Sequence, residues 1–384
     1  SDAMKFFENT GVSFKVYSSD KKENLIPFDI IPRIINSKEW DKLVKGITQR
    51  VLAINFFLTD IYGQQEIIKH GVIPVDLIQN NTAFLKQMIG FTPPNKTYNH
   101  ISGIDLIKTN SDNFYVLEDN VRVPSGASYM IENRDTMIKL FPDLISRYKV
   151  FENRNYANNL SEVLKKSSPK KANRNPNIVL LTPGIYNSAF FEHAFLADKL
   201  GIELVEGKDL RVINKYLNMK TIEGWKRVDV IYRRIDDIFL DPLSFKEDSF
   251  LGVPGLREVY RNKNVTIANA PGTGISDDKS IYSYIPDIIK FYLGQKPILK
   301  NVKTFKCRVK DELNYTLNNL NKLVVKEVHG SGGYGMLVGP LASKTEISKF
   351  KKQIIKNPYN YIAQPTLSLS TCPIYTKKGL TSRH

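Results

Sequence analysis

The sequence is poor in the residues that build disulfide scaffolds and histidine-rich metal sites. Among 384 residues there are two cysteines, Cys307 and Cys372, and five scattered histidines. Two cysteines do not make a disulfide framework, and thiols without neighbouring histidines give no basis for a zinc site. We therefore expect a reducing compartment and a core stabilised by apolar packing.

Long apolar runs and an N-terminal targeting signal are also missing. No apolar segment reaches the roughly 20 residues that a membrane helix needs, and no secretory signal is visible. Ser1-Asp2-Ala3 before Met4 resembles a cloning remnant, so the fold interpretation begins at Met4. We expect a cytoplasmic protein without a membrane partner.

Acidic residues are outnumbered by basic ones, 39 to 55, and the formal net charge is +16. A nucleic-acid-binding surface would gather its lysines in one stripe, with aromatic residues between them. Here the lysines are spread along the chain, and the densest group lies in a polar linker at 165–171. We predict no nucleic-acid partner and a solvated basic surface that attracts anionic substrates; a basic nucleic-acid-binding protein is the less favoured alternative.

The most informative stretch is an apolar run, a glycine-dense loop and a second apolar run. Residues 323–328 and 336–338 predict the two strands of a hairpin. The loop between them contains Gly330, Gly332, Gly333 and Gly335. Such a loop can lie close to a ligand and direct its N–H groups at phosphate, with Lys326 beside it. A flexible hairpin tip with a surface lysine is the alternative.

A second pair of predicted strands, at 101–108 and 114–120, carries acidic residues. Because strand side chains alternate between faces, Glu118 and Asn120 point the same way, and Asp105 on the facing strand can join them. Two carboxylates and one amide oxygen suit Mg²⁺; a solvated polar strand face is the alternative.

A rigid turn at 121–126 follows the acidic strand and holds Arg122 beside the acids. An arginine next to a metal site suits a polyphosphate or an acyl-phosphate.

The middle of the chain predicts a small doubly wound α/β unit. Apolar strands at 177–181, 202–205 and 228–232 accompany a helix at 191–200. The loop at 182–188 follows the first of these strands, at the end where open α/β sheets bind ligands.

A helix cap, a histidine and a pair of aspartates each have a simple structural interpretation. Ser37 is a good N-cap for a long amphipathic helix, and His193 is interpreted as a packed or capping histidine. Asp277 and Asp278 suit a helix N-terminus on dipole grounds, which leaves Lys279 as a second cation for phosphate.

Taken together, these stretches resemble the ATP-grasp superfamily, most closely the circularly permuted family of type 2, which is glutathionylspermidine-synthetase-like. The resemblance covers nearly the whole chain, and its motifs are 116–126, 180–188, 232–237, 269–274, 277–279 and 325–335. In an ordinary ATP-grasp chain the lysine strand and glycine flap precede the Glu-x-Asn metal strand. Here their order is reversed, which is what circular permutation implies.

The resemblance implies a mixed α/β fold, a circularly permuted ATP-grasp with an inserted, doubly wound, pre-ATP-grasp-like domain. It divides the chain into a metal-binding lobe (4–165), a substrate domain (176–295) and a lysine and glycine-flap lobe (296–384). The chain ends at His384, where the resemblance expects a further strand and sheet that help to floor the ATP site.

The resemblance also implies ATP and Mg²⁺ as cofactors and assigns roles to residues. The implied ATP-binding residues are Lys279, Lys326, Gly332, Gly333, Gly335 and Gln364. The implied metal ligands are Asp105, Glu118 and Asn120, and the implied catalytic residues are Arg122 and Lys326. The implied substrate-side residues are Tyr186, Asn187, Ser188, Arg233 and Arg234.

The implied function is an ATP- and Mg²⁺-dependent carboxylate–amine ligase that acts through an acyl-phosphate on a small acid or peptide. Its partners would be a small-molecule or peptide carboxylate and an amine. A non-catalytic nucleotide-binding scaffold, acting through a protein partner, is the alternative.

Overall fold

The structure is a computed structural model, and it describes residues 13–15, 23–25, 29–110, 113–153, 155–330, 335–376 and 379–384. Helices and strands alternate along much of the chain, and the predicted mixed α/β class is confirmed. The helices are α1 (Ser37–Ile61), α2 (Glu66–Lys69), α3 (Val75–Gln79), α4 (Ala127–Leu140), α5 (Pro142–Arg147), α6 (Tyr156–Lys166), α7 (Phe190–Leu200), α8 (Leu256–Arg261), α9 (Lys279–Tyr282), α10 (Ile285–Leu293), α11 (Lys310–Asn318) and α12 (Lys344–Lys356).

The strands fall into several separate sheets. They are β1 (Ser13–Lys15), β2 (Glu23–Leu25), β3 (Gly103–Lys108), β4 (Phe114–Asn120), β5 (Ile178–Leu181), β6 (Glu203–Val205), β7 (Leu210–Ile213), β8 (Tyr216–Thr221), β9 (Gly224–Arg227), β10 (Val230–Arg233), β11 (Thr266–Ala268), β12 (Lys300–Asn301), β13 (Phe305–Lys306), β14 (Leu323–Glu327), β15 (Met336–Val338), β16 (Tyr361–Pro365), β17 (Cys372–Thr376) and β18 (Gly379–Arg383).

The long helix α1 begins where the sequence indicates, but a different residue caps it. Asn36, not Ser37, is the N-cap: its side chain accepts a hydrogen bond from the Glu39 N–H, and the Glu39 carboxylate accepts one from the Asn36 N–H. An asparagine cap is as effective as a serine cap, and the reciprocal bonds form a capping box. The sequence prediction of Ser37 as the cap is therefore wrong by one residue.

The doubly wound unit is confirmed as a four-stranded parallel sheet with the order β11-β10-β5-β6. The direction of winding reverses between β5 and β10, which are neighbours in space although β6 separates them in the chain. At such a switch point the carboxyl ends of two strands diverge and leave a crevice. The three-stranded antiparallel sheet β7-β8-β9 is inserted between β6 and β10.

Two further sheets carry the motifs that the sequence singles out. In the first, β4 lies between β12 and β3, and it pairs antiparallel with β3. In the second, the order is β13-β16-β14-β15, and β14 pairs antiparallel with β15 as the predicted hairpin. A separate core cluster lies beneath this second sheet and includes Leu323, Val325 and Ile354.

The largest apolar core joins α1 to the doubly wound unit. Buried residues of α1, such as Ile54 and Phe57, belong to the same cluster as Val179 and Ile231 of the parallel sheet. No helix among the residues that the structure describes is long and apolar enough to cross a membrane.

A buried ion pair fixes α1 against β4. The Arg50 guanidinium donates two hydrogen bonds to the Asp119 carboxylate, at 2.5 and 2.6 Å, and the two side chains are 2% and 0% exposed. Arg50 also donates to the Asn301 amide oxygen at 2.7 Å, and its guanidinium lies 5.6 Å from the centre of the Tyr282 ring. These contacts satisfy both charges away from water, where an unpaired charge is costly.

We expect Asp119→Ala to lower the free energy of unfolding by about 3–5 kcal/mol, because it leaves Arg50 buried without a counter-ion. Urea denaturation followed by circular dichroism measures the change. The matched control is Glu162→Ala, which removes the exposed Glu162–Lys165 pair and should cost at most about 1 kcal/mol. Equal effects of the two substitutions would contradict the role assigned to the buried pair.

Candidate functional site

The acidic side chains of β3 and β4 lie together, and a one-residue shift of the strand register next to Asp105 brings them opposite each other. Asp105 is directly opposite Glu118 in the antiparallel register, and Gly103 is opposite Asn120. The Asn120 amide nitrogen lies 3.4 Å from Asp105 Oδ1. Asp119 points to the opposite face, where it meets Arg50. The structure therefore brings the three predicted metal ligands onto one face.

This oxygen-rich face fits a hard divalent cation. Partial burial and the negative charges of Glu118 and Asp119 raise the pKa of Asp105, so the carboxylates repel each other and a cation would relieve that repulsion. Asp105, Glu118 and the amide oxygen of Asn120 form a donor set of the kind that Mg²⁺ takes. Within the described residues, no cluster of three or more His, Cys, Asp or Glu side chains forms a metal site; this face has two carboxylates and an amide.

Two lysines from other segments of the chain approach this acidic face. Lys279 Nζ lies 3.8 Å from Glu118 Oε1 and donates a 2.5 Å hydrogen bond to the Gly330 carbonyl oxygen. Lys326 projects from β14; burial lowers its pKa, the charge of Glu118 raises it and the charge of Lys279 lowers it. Both predicted phosphate-binding lysines thus lie close enough to Glu118 to interact with its charge.

The base of the glycine loop is tied to the start of α9. His329 Nδ1 lies 2.8 Å from Asp278 Oδ2, and this contact is the main reason that the pKa of His329 is raised. Gly335 has a φ of +67°, so the backbone at the return of the hairpin favours glycine. Gly332 and Gly333 lie outside the described residues.

Arg122 is held by carboxylates from two other segments. Its Nη1 lies 2.7 Å from Asp236 Oδ2, and the N–H groups of Val121 and Arg122 donate to Asp277 Oδ1 at 2.7 and 3.2 Å. A Cβ at Gly274 would meet Arg122 Cδ at 2.8 Å, so the arginine stem runs directly over that glycine. Burial raises the pKa of Asp277 to about 7, against the lowering effect of the backbone bonds and Arg122.

The sequence prediction that Arg233 and Arg234 face the substrate is not supported by their surroundings. Both residues are buried, at 1% and 3% exposure. Arg233 pairs with Asp237 at 2.7 Å, and Arg234 pairs with buried Glu192 at 2.9 Å. Burying a charged group is costly without such a partner. These guanidinium groups therefore stabilise the protein interior through the carboxylates of Asp237 and Glu192.

The loop after β5 lies at the carboxyl end of that strand, next to the switch point between β5 and β10. Tyr186 is 83% exposed there, and Asn187 Oδ1 accepts from the Ala189 N–H at 2.9 Å, just before α7. Ser188 is half-buried in the same loop. Their contact with a substrate stays a prediction.

Gln364 lies inside the second sheet. It is 3% exposed, pairs with Val324 across β14 and β16, and donates to Thr304 Oγ1 at 3.0 Å. It lies beside the lysine strand, and its role in adenine binding stays a prediction.

Several residues that shape the site were not assigned a role from the sequence. Arg50 lies on the buried face of α1, together with Leu43, Ile54 and Phe57. A charged residue on an apolar helix face signals a buried partner, and that signal was available in the sequence. Asp236 and Glu192 gave no such signal, because their partners Arg122 and Arg234 are distant in the chain.

A sequence profile described as circularly permuted ATP-grasp type 2 matches residues 32–384 of the chain. The chain belongs to this family. The permuted order is visible in the structure, since the acidic strand β4 precedes the lysine strand β14 and its glycine hairpin. Membership implies the use of ATP and a divalent metal in general.

Relatives with high identity cover most of this permuted ATP-grasp chain. An uncharacterized protein of Synechocystis sp. is 50% identical over 377 residues, 98% of this chain and 78% of the relative. An uncharacterized protein of Mycobacterium tuberculosis is 46% identical over 378 residues, 98% of this chain and 68% of the relative. A Frankia casuarinae protein, provisionally named glutamate–cysteine ligase 2-2, is 36% identical over 367 residues, 95% of this chain and 42% of the relative.

A solved structure supports the fold. The glutathione-synthetase-like effector of Globodera pallida, solved in apo form, matches 99% of this chain and 84% of its own, with a TM-score of 0.62 and 13% identity. At this identity the similarity concerns the fold alone.

We expect the buried histidine of α7 to make the stability of the ATP-grasp chain sensitive to acid. His193 is 1% exposed, and its Nδ1 lies 2.8 Å from the Thr182 hydroxyl. Burial and the charge of Arg234 lower its pKa to about 3. The unfolded chain therefore binds this proton more readily, and the free energy of unfolding should fall as the pH drops below about 6.5, by up to about 1.4 kcal/mol per pH unit.

Urea denaturation at several pH values tests this expectation with His193→Gln, which keeps a polar group near Thr182. Between about pH 6.5 and 4.5, the variant should lose less stability than the parent protein. His70→Gln, at an exposed histidine, is the matched control. Parallel curves for the parent and His193→Gln would contradict the burial of a neutral imidazole.

Proposed function

We propose that the protein is an ATP- and Mg²⁺-dependent carboxylate–amine ligase that forms an amide through an acyl-phosphate. The observation that carries this proposal is the approach of Lys279 and Lys326 to Glu118. These residues come from three distant segments of the chain, and they place ammonium groups beside an acidic face. Such an arrangement fits a metal-bound polyphosphate better than a solvated surface, because the opposed charges are partly buried.

Each part of the site has a proposed role in phosphoryl transfer. Lys279 and Lys326 hold the ATP phosphates, and Gly335 belongs to the loop that covers them. Asp105, Glu118 and Asn120 hold the metal, which when bound neutralises phosphate charge. Arg122, aimed by Asp236 and Asp277, stabilises the charge on the group being transferred.

The proposed reaction has two balanced steps. A carboxylate oxygen of the acid attacks the γ-phosphorus of ATP, and ADP leaves. The amine nitrogen then attacks the acyl carbon, loses a proton, and inorganic phosphate leaves. The switch-point crevice, bordered by the loop that contains Tyr186, Asn187 and Ser188, is the proposed acid-binding side.

The name of the Frankia relative makes glutamate and cysteine the first substrate pair to test. The assay measures ADP release with ATP and Mg²⁺ against a panel of acids and amines, and the amide product is identified by mass spectrometry. We expect ADP release that requires an acid and an amide that requires both substrates. Nucleotide binding without turnover for any pair would favour the scaffold alternative.

We expect Lys326→Ala to weaken the binding of an ATP analogue by about 1.5–3 kcal/mol, because a charge-assisted contact to phosphate is lost. Isothermal titration calorimetry measures the affinity, and circular dichroism checks that the fold is retained. Lys322→Ala is the matched control, since Lys322 is exposed just before β14. We expect this variant to bind the analogue with the affinity of the parent protein. Unchanged affinity in Lys326→Ala would remove this lysine from the proposed phosphate site.

A further inference from the structure

The contacts of Lys279 join the two halves of the candidate site directly. Its ammonium lies between the Glu118 carboxylate, at 3.8 Å, and the Gly330 carbonyl oxygen, at 2.5 Å. The Lys279 side chain is 13% exposed and that of Glu118 is 29% exposed. At this distance and burial the lysine partly neutralises the carboxylate that is the central proposed metal ligand.

Among the proposed metal- and phosphate-binding side chains, the carboxylates and the ammonium groups are equal in number before any ligand binds. Asp105 and Glu118 contribute two carboxylates, and Lys279 and Lys326 contribute two ammonium groups that act on Glu118 or on each other. A divalent cation arriving alone would meet the Lys279 ammonium close to Glu118, and like charges repel strongly in a partly buried site. A cation arriving with a polyphosphate brings new partners for both lysines.

The lysine is held by neighbours that fix its backbone. Asp278 caps α9 by accepting from the Ser280 and Ile281 N–H groups, and the Asp278 carboxylate also meets His329 and Asn81. The Lys279 N–H donates to the Val328 carbonyl oxygen at 3.3 Å. Because its backbone is anchored at both sides, Lys279 can leave Glu118 by rotating its side chain alone.

We propose that Lys279 determines the order of ligand binding. The Lys279 ammonium screens Glu118 from free divalent metal, and it moves away from Glu118 only when nucleotide phosphates bind the ammonium in place of that carboxylate. This inference rests on the proposed function. It goes further, because it makes Lys279 a specificity-determining residue that selects the metal–nucleotide complex over the free metal. Metal and nucleotide then bind with positive coupling, and the coupling is reciprocal by linkage.

The test measures metal binding rather than turnover. Mn²⁺ is titrated by calorimetry and by electron paramagnetic resonance into the full chain, with and without the non-hydrolysable β,γ-imido analogue of ATP. In the parent protein we expect the analogue to raise the Mn²⁺ affinity by about 5- to 150-fold, the usual range of coupling between sites. Glu118→Gln should abolish that gain, which assigns the metal to this face.

Lys279→Met is the decisive variant, because it keeps most of the side-chain volume without the charge. We expect its affinity for Mn²⁺ alone to rise on the order of tenfold, its affinity for the analogue to fall, and the coupling between them to shrink. Lys279→Arg retains the charge and should keep free Mn²⁺ binding weak. Lys300→Met removes one charge at an exposed lysine of β12, which lies in the same sheet as β4. Its affinity for free Mn²⁺ should match that of the parent protein.

The outcomes separate this inference from the function on which it rests. If the parent protein binds the analogue and Mn²⁺ with coupling, but Lys279→Met has the same free-Mn²⁺ affinity as Lys300→Met, the ordering role is overturned and the ligase proposal stands. If the parent protein does not bind the analogue at all, the proposed function fails and the ordering role fails with it. Should Lys279→Met not fold by circular dichroism, Lys279→Gln replaces it in the same comparison.

Discussion

The buried pair between Arg50 and Asp119 is the constraint on which the site depends. Because side chains of a strand alternate, burying Asp119 against α1 directs Glu118 and Asn120 to the opposite face, beside Asp105. A slip of β4 by one residue would exchange these roles and leave a buried carboxamide or glutamate opposite Arg50. The ion pair therefore sets the register of the acidic face as well as the packing of a helix on a sheet.

Three consecutive residues link the parts of the site that permutation separates in the chain. Asp277 accepts from the turn that carries Arg122, Asp278 meets His329 at the base of the glycine hairpin, and Lys279 contacts Glu118. Residues 277–279 thus contact the arginine turn, the hairpin and the acidic strand at once. Any shift of this segment would change all three, so the position of the hairpin is mechanically coupled to the acidic face.

Local patterns in the sequence were sufficient for the main elements, but only in part for the acidic face. The hairpin at β14 and β15 and the parallel strands follow from periodicity. The pairing of Asp105 with Glu118 does not, because it depends on a one-residue shift of the register between Asp105 and Leu106. The environments of Arg233 and Arg234 could not be predicted in this way. Their partners are Asp237 and Glu192, and whether a charge is paired inside or exposed to a ligand depends on the tertiary fold.

The internal pairing of Arg233 and Arg234 takes both guanidinium groups away from the proposed substrate side. Their guanidinium groups are already committed to buried carboxylates and backbone carbonyls, and freeing either one would leave a buried acid without its counter-ion. Arg122 differs, because its side chain is 38% exposed while Asp236 still orients it. Under the proposed function, Arg122 is therefore the guanidinium that stays available to a bound acid.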